Sequence, residues 1–355
     1  MRSHPFVLAC AVALLAALPL VWFATASQAR APLAAPQEVS GDGPEGHKVS
    51  GPYTHKNLTV FLLHGRERAA TGTKTFMTLS EALTSRKVVV YETKSVNELA
   101  IENVSDEEVF VQSGDIVKGG QQDRMIGVDL IVPARSGKIK IAAFCVEQGR
   151  WAKRGGEDAT KFTSSTDRAA TRELKLAANK SRSQGEVWAK VAKAQSKLGA
   201  NVGGSVAAPV SASSYQLSME NEKVRATTDE YIKALAAIVA KHPDAVGYAF
   251  SINGKLNSAD VYASPALFRK LWPGLLKSSA VEAVAELDGK PHAATKAEEV
   301  RAFISESEGG AATEREVTTR VRMTTRETKT NILFETRDHH PRRKGGWVHK
   351  SYVKK

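Results

Sequence analysis

Two short polar strings hold most of the reactive side chains of this sequence. Ser113 to Arg124 reads Ser-Gly-Asp-Ile-Val-Lys-Gly-Gly-Gln-Gln-Asp-Arg, and Cys145 to Trp151 reads Cys-Val-Glu-Gln-Gly-Arg-Trp. Asp115, Asp123 and Glu147 are the residue types that act as general acid and base or hold Mg2+. Arg124 and Arg150 carry paired donors that match a phosphate or carboxylate. Gly119 and Gly120 lack the Cβ that would keep a ligand off backbone N–H groups. With Lys118, Gln122, Gln148 and Trp151 they form a candidate binding set for an anionic small molecule. The same residues also fit an ion-pair network that closes a fold, with the glycines serving as bulges. Cys145 alternates with Ile139, Ile141 and Ala143, so it is expected to face the core as a small hydrophobe. No histidine near it in sequence marks it as a nucleophile.

Two apolar runs must bring these strings together. Met125 to Val132 and Lys138 to Val146 have strand length and are rich in Ile and Val. Pro133 to Gly137 supplies turn chemistry between them, with φ fixed at the proline and free at the glycine. An antiparallel hairpin centred on Arg135 and Ser136 pairs residues whose numbers sum to about 271. Arg124 then faces Glu147, Asp123 faces Gln148, and Gly119-Gly120 comes near Arg150-Trp151.

The pairing of Gly-Asp-Ile-Val-Lys-Gly-Gly-Gln-Gln-Asp-Arg with Cys-Val-Glu-Gln-Gly-Arg-Trp resembles the ADP-ribosylglycohydrolase and rhodanese-phosphatase-superfamily-associated protein domain family. The likeness runs from about Leu58 onward and includes Gly185 to Trp188 and Val246 to Lys255. It implies a site associated with nucleotide or ADP-ribose-type metabolism, with no reaction specified.

The rest of the chain supplies the scaffold. Met1 to Ala26 has the make-up of a secretory signal: Arg2 and His4, an apolar run from Phe6 to Phe23, and the small-x-small site Ala24-Thr25-Ala26. The run could also span a bilayer as an uncleaved anchor, although Pro19 and the cleavage motif favour removal. Ser27 to about Gly51 reads as a flexible spacer, with order beginning at Asn57. Strands are expected at Leu58–Leu63, Lys87–Glu92, Leu99–Asn103 and Glu108–Gln112. Thr78 to Glu81 is a capping box for a short helix, and Thr295 to Glu298 another. Ala152 to Gln184 reads as a long polar loop ending in a helix near Ala169–Ala178. Further helices are expected at Glu186–Leu198, Glu222–Lys241 and Pro265–Leu287, the last broken at Trp272-Pro273-Gly274. Trp188 is expected in the core. Gly199–Ser214 is the best boundary between two lobes. Val246–Ile252 ends in the Asn253-Gly254 turn, and strands return at Glu316–Thr324, Thr328–Thr336 and Trp347–Val353. The expected fold is therefore α+β: a largely antiparallel sheet, a central β-hairpin and several packed helices, in one domain from Asn57 to Lys355.

The formal net charge is +12, and loss of Arg2 with the signal leaves +11. Arg337 to Lys355 holds seven Lys or Arg against Asp338, either a solvated tail or a contact for an anionic envelope surface. No nucleic-acid motif accompanies it. His339-His340 beside Asp338 is the only dense ligand-like string, and neighbours on a strand point apart, so no metal site and no cofactor are expected. Nucleotide-binding loops and the nucleophile-elbow motif are absent. With the signal removed, Cys145 is the one remaining thiol, so the fold carries no internal disulfide. Three functions fit: an exported, periplasmic or extracellular binding or regulatory domain for a nucleotide- or ADP-ribose-like anion; a hydrolase of such a compound using Asp115, Asp123 or Glu147; or an envelope interaction protein whose motif is architecture.

Overall fold

The computed structural model describes residues 47–65, 75–340 and 346–355, all within one compact unit. The signal, most of the spacer, the Arg66–Arg68 part of the first polar turn and Arg342–Lys344 lie outside the described residues.

In chain order, β1 (Lys48–His55) and β2 (Leu58–His64) form a hairpin, and β3 (Met77–Thr78) leads into α1 (Leu79–Thr84). Next come β4 (Val88–Ser95), β5 (Glu98–Asn103), β6 (Val109–Val111), β7 (Asp115–Gly119), β8 (Arg124–Ile126), β9 (Leu130–Val132) and β10 (Gly137–Cys145). After β11 (Phe162–Arg168) the chain turns helical: α2 (Arg172–Leu176), α3 (Gln184–Asn201), α4 (Tyr215–Glu220) and α5 (Glu222–Leu235). β12 (Ala245–Ile252) and β13 (Lys255–Tyr262) precede α6 (Pro265–Ala285) and α7 (Ala297–Glu308). β14 (Ala311–Glu316), β15 (Val321–Glu327), β16 (Asn331–Asp338) and β17 (Trp347–Lys354) complete the fold.

An eight-stranded antiparallel sheet has the order β1-β2-β12-β13-β17-β16-β15-β14. Both its faces are covered, which explains why every residue of β2 is buried. Leu58, Val60 and Leu62 face a core shared with α5 and α6, whereas Phe61 and Leu63 face Val300, Phe303 and Ile304 of α7. The motif-bearing strands lie in a six-stranded sheet, β11-β7-β8-β10-β5-β4, flanked by a small sheet β3-β6-β9. The α+β class read from the sequence is the class of the fold.

Several local expectations change. The central hairpin is paired only at its open end. Ala143, Phe144 and Cys145 oppose Ile126, Met125 and Arg124, an offset of two residues from the expected register. Beyond Ile126 the chain leaves β10, and β9 pairs with β6 instead, while Gly137–Ala142 of β10 pairs with β5. The departure happens at Gly127-Val128-Asp129. The carboxylate of Asp129 is buried and accepts hydrogen bonds from the Ser113 N–H and Thr336 hydroxyl, which draws this segment away from β10. β1 occupies Lys48–His55, where spacer was expected, because its partner β2 has apolar residues on both faces and needs a neighbour on each edge. β11 occupies part of the stretch read as a polar loop, since its side chains alternate weakly and its pairing comes from β7. α6 passes through Pro273 without a break: Leu271, Trp272, Leu275 and Leu276 are all buried on either side of it, outweighing one missing backbone bond. The first capping box forms as expected at Thr78 and Glu81, whereas the second does not: Lys296 is the N-cap, and only its backbone N–H is capped, by Glu299. The basic C-terminal segment is no tail. β17 is an interior strand between β13 and β16, with Lys350 buried against Glu308 and Glu335.

Candidate functional site

The open end of the β8–β10 ladder gathers both polar strings. The Val146 N–H donates to the Asp123 carbonyl at 3.1 Å, and the Asp123 N–H donates to Glu147 Oε2 at 3.1 Å. Asp123 and Glu147 are therefore neighbours, and both are fully buried. Arg150 grips Glu147 with Nε at 2.6 Å and Nη2 at 2.8 Å. Arg154 spans Asp123 with Nη1 and Nη2, each at 3.0 Å, and also reaches Glu157 at 2.8 Å. Ser214 donates its hydroxyl to Asp123 at 3.1 Å.

Arg124 belongs to an adjoining layer. It is entirely buried, with Nη2 3.2 Å from Glu92 and Nη1 donating to the Val96 carbonyl at 2.6 Å and to Cys145 Sγ at 2.7 Å. Its guanidinium carbon lies 5.8 Å from the ring centre of Trp151, which is 48 % exposed. Cys145 is buried as expected, but its partner is this guanidinium as well as the apolar core. Burial pushes its thiol up to about 11, against the pull of Arg124.

The environments of the two carboxylates differ. Burial, reinforced by the negative Glu147, raises Asp123 above the usual carboxylate range despite Arg154. Burial also pushes Glu147 upward, but hydrogen bonds from Arg150, Ser211 and the Asp123 N–H outweigh it and leave it below its ordinary value. Opposed shifts in adjacent carboxyls are the arrangement an acid and base pair uses.

The other candidate residues fall into place around this pair. Lys118 binds Glu220 at 2.7 Å. The backbone N–H groups of Gly119 and Gly120, expected to face a ligand, donate to Asp123 Oδ1 and to the Asp158 carbonyl. At Gly120, with φ +56°, a Cβ would lie 2.4 Å from the Phe162 ring, so packing and backbone both demand glycine there. Gln148 is exposed, and its backbone N–H and carbonyl are both held by Ser213. Gln122 is completely buried, and neither atom of its amide has a hydrogen-bond partner. Trp188 is half-buried and donates to the Glu147 carbonyl.

Asp115 lies elsewhere. It starts β7 while Asp123 caps the far end through Gly119, a separation of about 13 Å at strand rise. Asp115 pairs with Arg168 and joins a second buried cluster, none of which was foreseen from the sequence. There His349 Nδ1 lies 2.6 Å from Asp129 and Nε2 lies 3.2 Å from Asp260, whose other oxygen accepts from Lys175 at 2.8 Å. Tyr262 stacks on the imidazole with centroids 4.5 Å apart. Although burial opposes charge, the two carboxylates raise the His349 pKa to about 9, so it is an imidazolium at neutral pH. A cavity of about 20 Å3 beside it has room for a water and no more. A cavity of about 390 Å3 lies against Asp115 and Arg168 between β11 and α6, with Leu271, Trp272 and Leu276 in its wall.

Sequence reasoning missed Glu92, Arg154, Glu157 and Ser214 at the hairpin end. Arg154 could have been found, since it follows Arg150 by one helical turn in number and sits in Lys-Arg-Gly-Gly. Glu157 lies three residues after Arg154, whereas Glu92 and Ser214 come from distant segments and left no local signal.

An α+β domain whose motif residues close into a buried ion-pair cluster is thus the class that fold and site define. Residues 46–353 match the model of the ARG and Rhodanese-Phosphatase-superfamily-associated Protein domain, and the chain belongs to that family. No curated protein and no solved structure matches it.

Proposed function

We propose that this chain is an exported binding or regulatory domain that takes a nucleotide- or ADP-ribose-like anion at the open end of the β8–β10 ladder. The observation that carries the reading is Trp151, 48 % exposed at the rim of this arginine-rich end. The Arg124 guanidinium carbon lies 5.8 Å from its ring centre, and Gln122, buried with neither atom of its amide partnered, adjoins Asp123 in the chain. Trp151 supplies an exposed ring beside the same cluster, suited to stacking a base.

The arginines are engaged by carboxylates, so an incoming phosphate must exchange with one of them. Glu157 is the natural one to yield: its side chain is 24 % exposed, against 0 % for Asp123 and Glu147. Arg154 would then present its freed donors to the anion, with Arg150 beside it and Arg124 backing Trp151. The opposed shifts of Asp123 and Glu147 favour a second reading, hydrolysis of the same ligand class with Asp123 as acid and Glu147 as base. Contact of the Arg337–Lys355 region with an anionic envelope surface is a separate proposal. Export is tested by N-terminal sequencing of the protein from its source: a chain starting at or just after Ser27 supports it, and retention of Met1 with a cytosolic location overturns it.

Binding is tested by thermal shift with ADP-ribose, AMP and inorganic phosphate on wild type, Trp151→Ala, Arg150→Lys and Glu157→Gln. The expected result is stabilisation of wild type by the nucleotides, loss of that stabilisation in Trp151→Ala, and a larger shift in Glu157→Gln. No ligand-dependent shift in any variant, together with an Arg150→Lys protein that melts markedly lower, would make the cluster scaffold only. Turnover of ADP-ribose by wild type but not by Asp123→Asn would decide for the hydrolase.

A further inference from the structure

Away from both clusters, where β2 ends beside the start of β12, His64, His242 and Asp244 each offer a ligand-type atom, and these atoms lie within 4.8 Å of one another. Strand pairing assembles them. His64 is the last residue of β2, Ala245 opposes it on β12, and the Gly65 N–H donates to the Asp244 carbonyl at 3.0 Å. We propose that these three residues form a binding site for a transition-metal dication of the Zn2+ type.

The donor set is right for such an ion. Two imidazoles and one carboxylate are common Zn2+ ligands, and three protein ligands leave a fourth position for water. A second, independent observation is the outer layer. Ser50 Oγ lies 2.7 Å from His64 Nε2, and Tyr53 Oη lies 2.8 Å from His242 Nε2. Both hydroxyls come from β1, so one strand orients both rings. Metal-binding histidines characteristically use their outer nitrogen in this way, which fixes tautomer and ring direction. The rings stand edge to face, with centroids 5.3 Å apart.

With Nε2 turned to Ser50, the nitrogen of His64 that faces the site is Nδ1, and it lies 2.9 Å from Asp244 Oδ2. In the metal-free chain a proton holds this pair together; a dication takes the place of that proton. A tetrahedral Zn2+ keeps its ligand atoms roughly 3.3 Å apart, so the 2.9 Å His64–Asp244 pair must widen slightly to admit it. The Asp244 side chain is 60 % exposed and can make that movement, while His64 is 6 % exposed and stays put.

Asp244, His64 and Ser50 also line up like a hydrolytic relay. Ser50 is only 2 % exposed, however, so its hydroxyl cannot meet a substrate. A buried hydroxyl is suited to orienting a ligand and unsuited to attack.

The test uses the full chain, stripped with a chelator and titrated with Zn2+ alone by calorimetry, with Co2+ absorption reporting four-coordinate geometry. One Zn2+ per chain is expected. Asp244→Asn, a change at an exposed side chain that leaves the metal-free melting temperature unaltered, should abolish the tetrahedral Co2+ signal. Tyr53→Phe should weaken Zn2+ binding about 10–100-fold, as loss of an outer-layer partner does. Absence of binding in wild type overturns the proposal. So does binding whose affinity and Co2+ spectrum are the same in Asp244→Asn and His242→Gln, which would place the ion on other histidines.

Discussion

The two buried charge clusters both match carboxylates with cations but differ in origin. At the hairpin end, Asp123, Glu147, Arg150 and Arg154 come from one short span of chain and lie against the surface, with Trp151 and Gln148 exposed alongside. In the second cluster, Asp115, Asp129, Lys175, Asp260 and His349 come from strands and helices spread across the chain; all but the part-exposed Asp115 are buried. The second joins the motif-bearing sheet to the eight-stranded sheet, because Asp129 follows β8 while Asp260 and His349 lie on β13 and β17. A charge buried between two sheets tolerates no loss of its partner, whereas one near the surface can be rescued by water.

The largest effect should come from breaking the second cluster. His349→Gln leaves Asp129 and part of Asp260 without their cation and should destabilise the chain by about 3–5 kcal/mol. The same residue sets a pH dependence. Its folded pKa, about 9, lies above the ordinary 6.5, so its contribution is complete below pH 6.5 and is lost as pH rises through 9. Urea unfolding of wild type should show stability falling by on the order of 3 kcal/mol across that window. His349→Gln should be flat there. A wild-type curve that stays level would mean that the imidazole is not held charged.

An intermediate effect is expected at the hairpin end. Arg154→Met leaves Asp123 buried with one hydroxyl and one backbone donor, and should cost about 1.5–3 kcal/mol, less than the His349 change. If the order of the two were reversed, the hairpin end and not the sheet junction would be the keystone. The smallest effect belongs to the rim. Trp151→Ala should alter stability by no more than about 0.5 kcal/mol, which makes it a clean probe of ligand binding. Cys145 offers a matching chemical probe: with its thiol raised to about 11 and no exposure, it should react with alkylating reagents only on unfolding. Rapid modification of the native protein would show that the hairpin end opens readily.

Much of the scaffold could be read locally. The capping box at Thr78, the Asn253-Gly254 turn and the apolar spacing of α3 and α5 each declare themselves within a few residues. β11 and β1 could not be read, because their pairing partners, not their own patterns, make them strands. Pro273 misled for a related reason: a helix-breaking residue is overruled when the helix is packed on most of its surface. The register of the central hairpin came out two residues off because Asp129, an isolated polar residue in an apolar run, is claimed by Ser113, Thr336 and His349.

What the sequence by itself determined is the α+β class, the family and the meeting of the two polar strings at the open end of one hairpin. Each rests on short-range information: alternation, turn chemistry and two distinctive strings joined by one turn. Only the tertiary structure decided what those residues touch. Arg124 spends its fork on Glu92 and Cys145, Asp115 departs to Arg168, and His349 and His64 acquire carboxylate partners far from them in the chain. The physical reason is that a buried charge must find a counter-charge wherever the fold supplies one, and burial and partnership across distant segments leave no trace in local spacing.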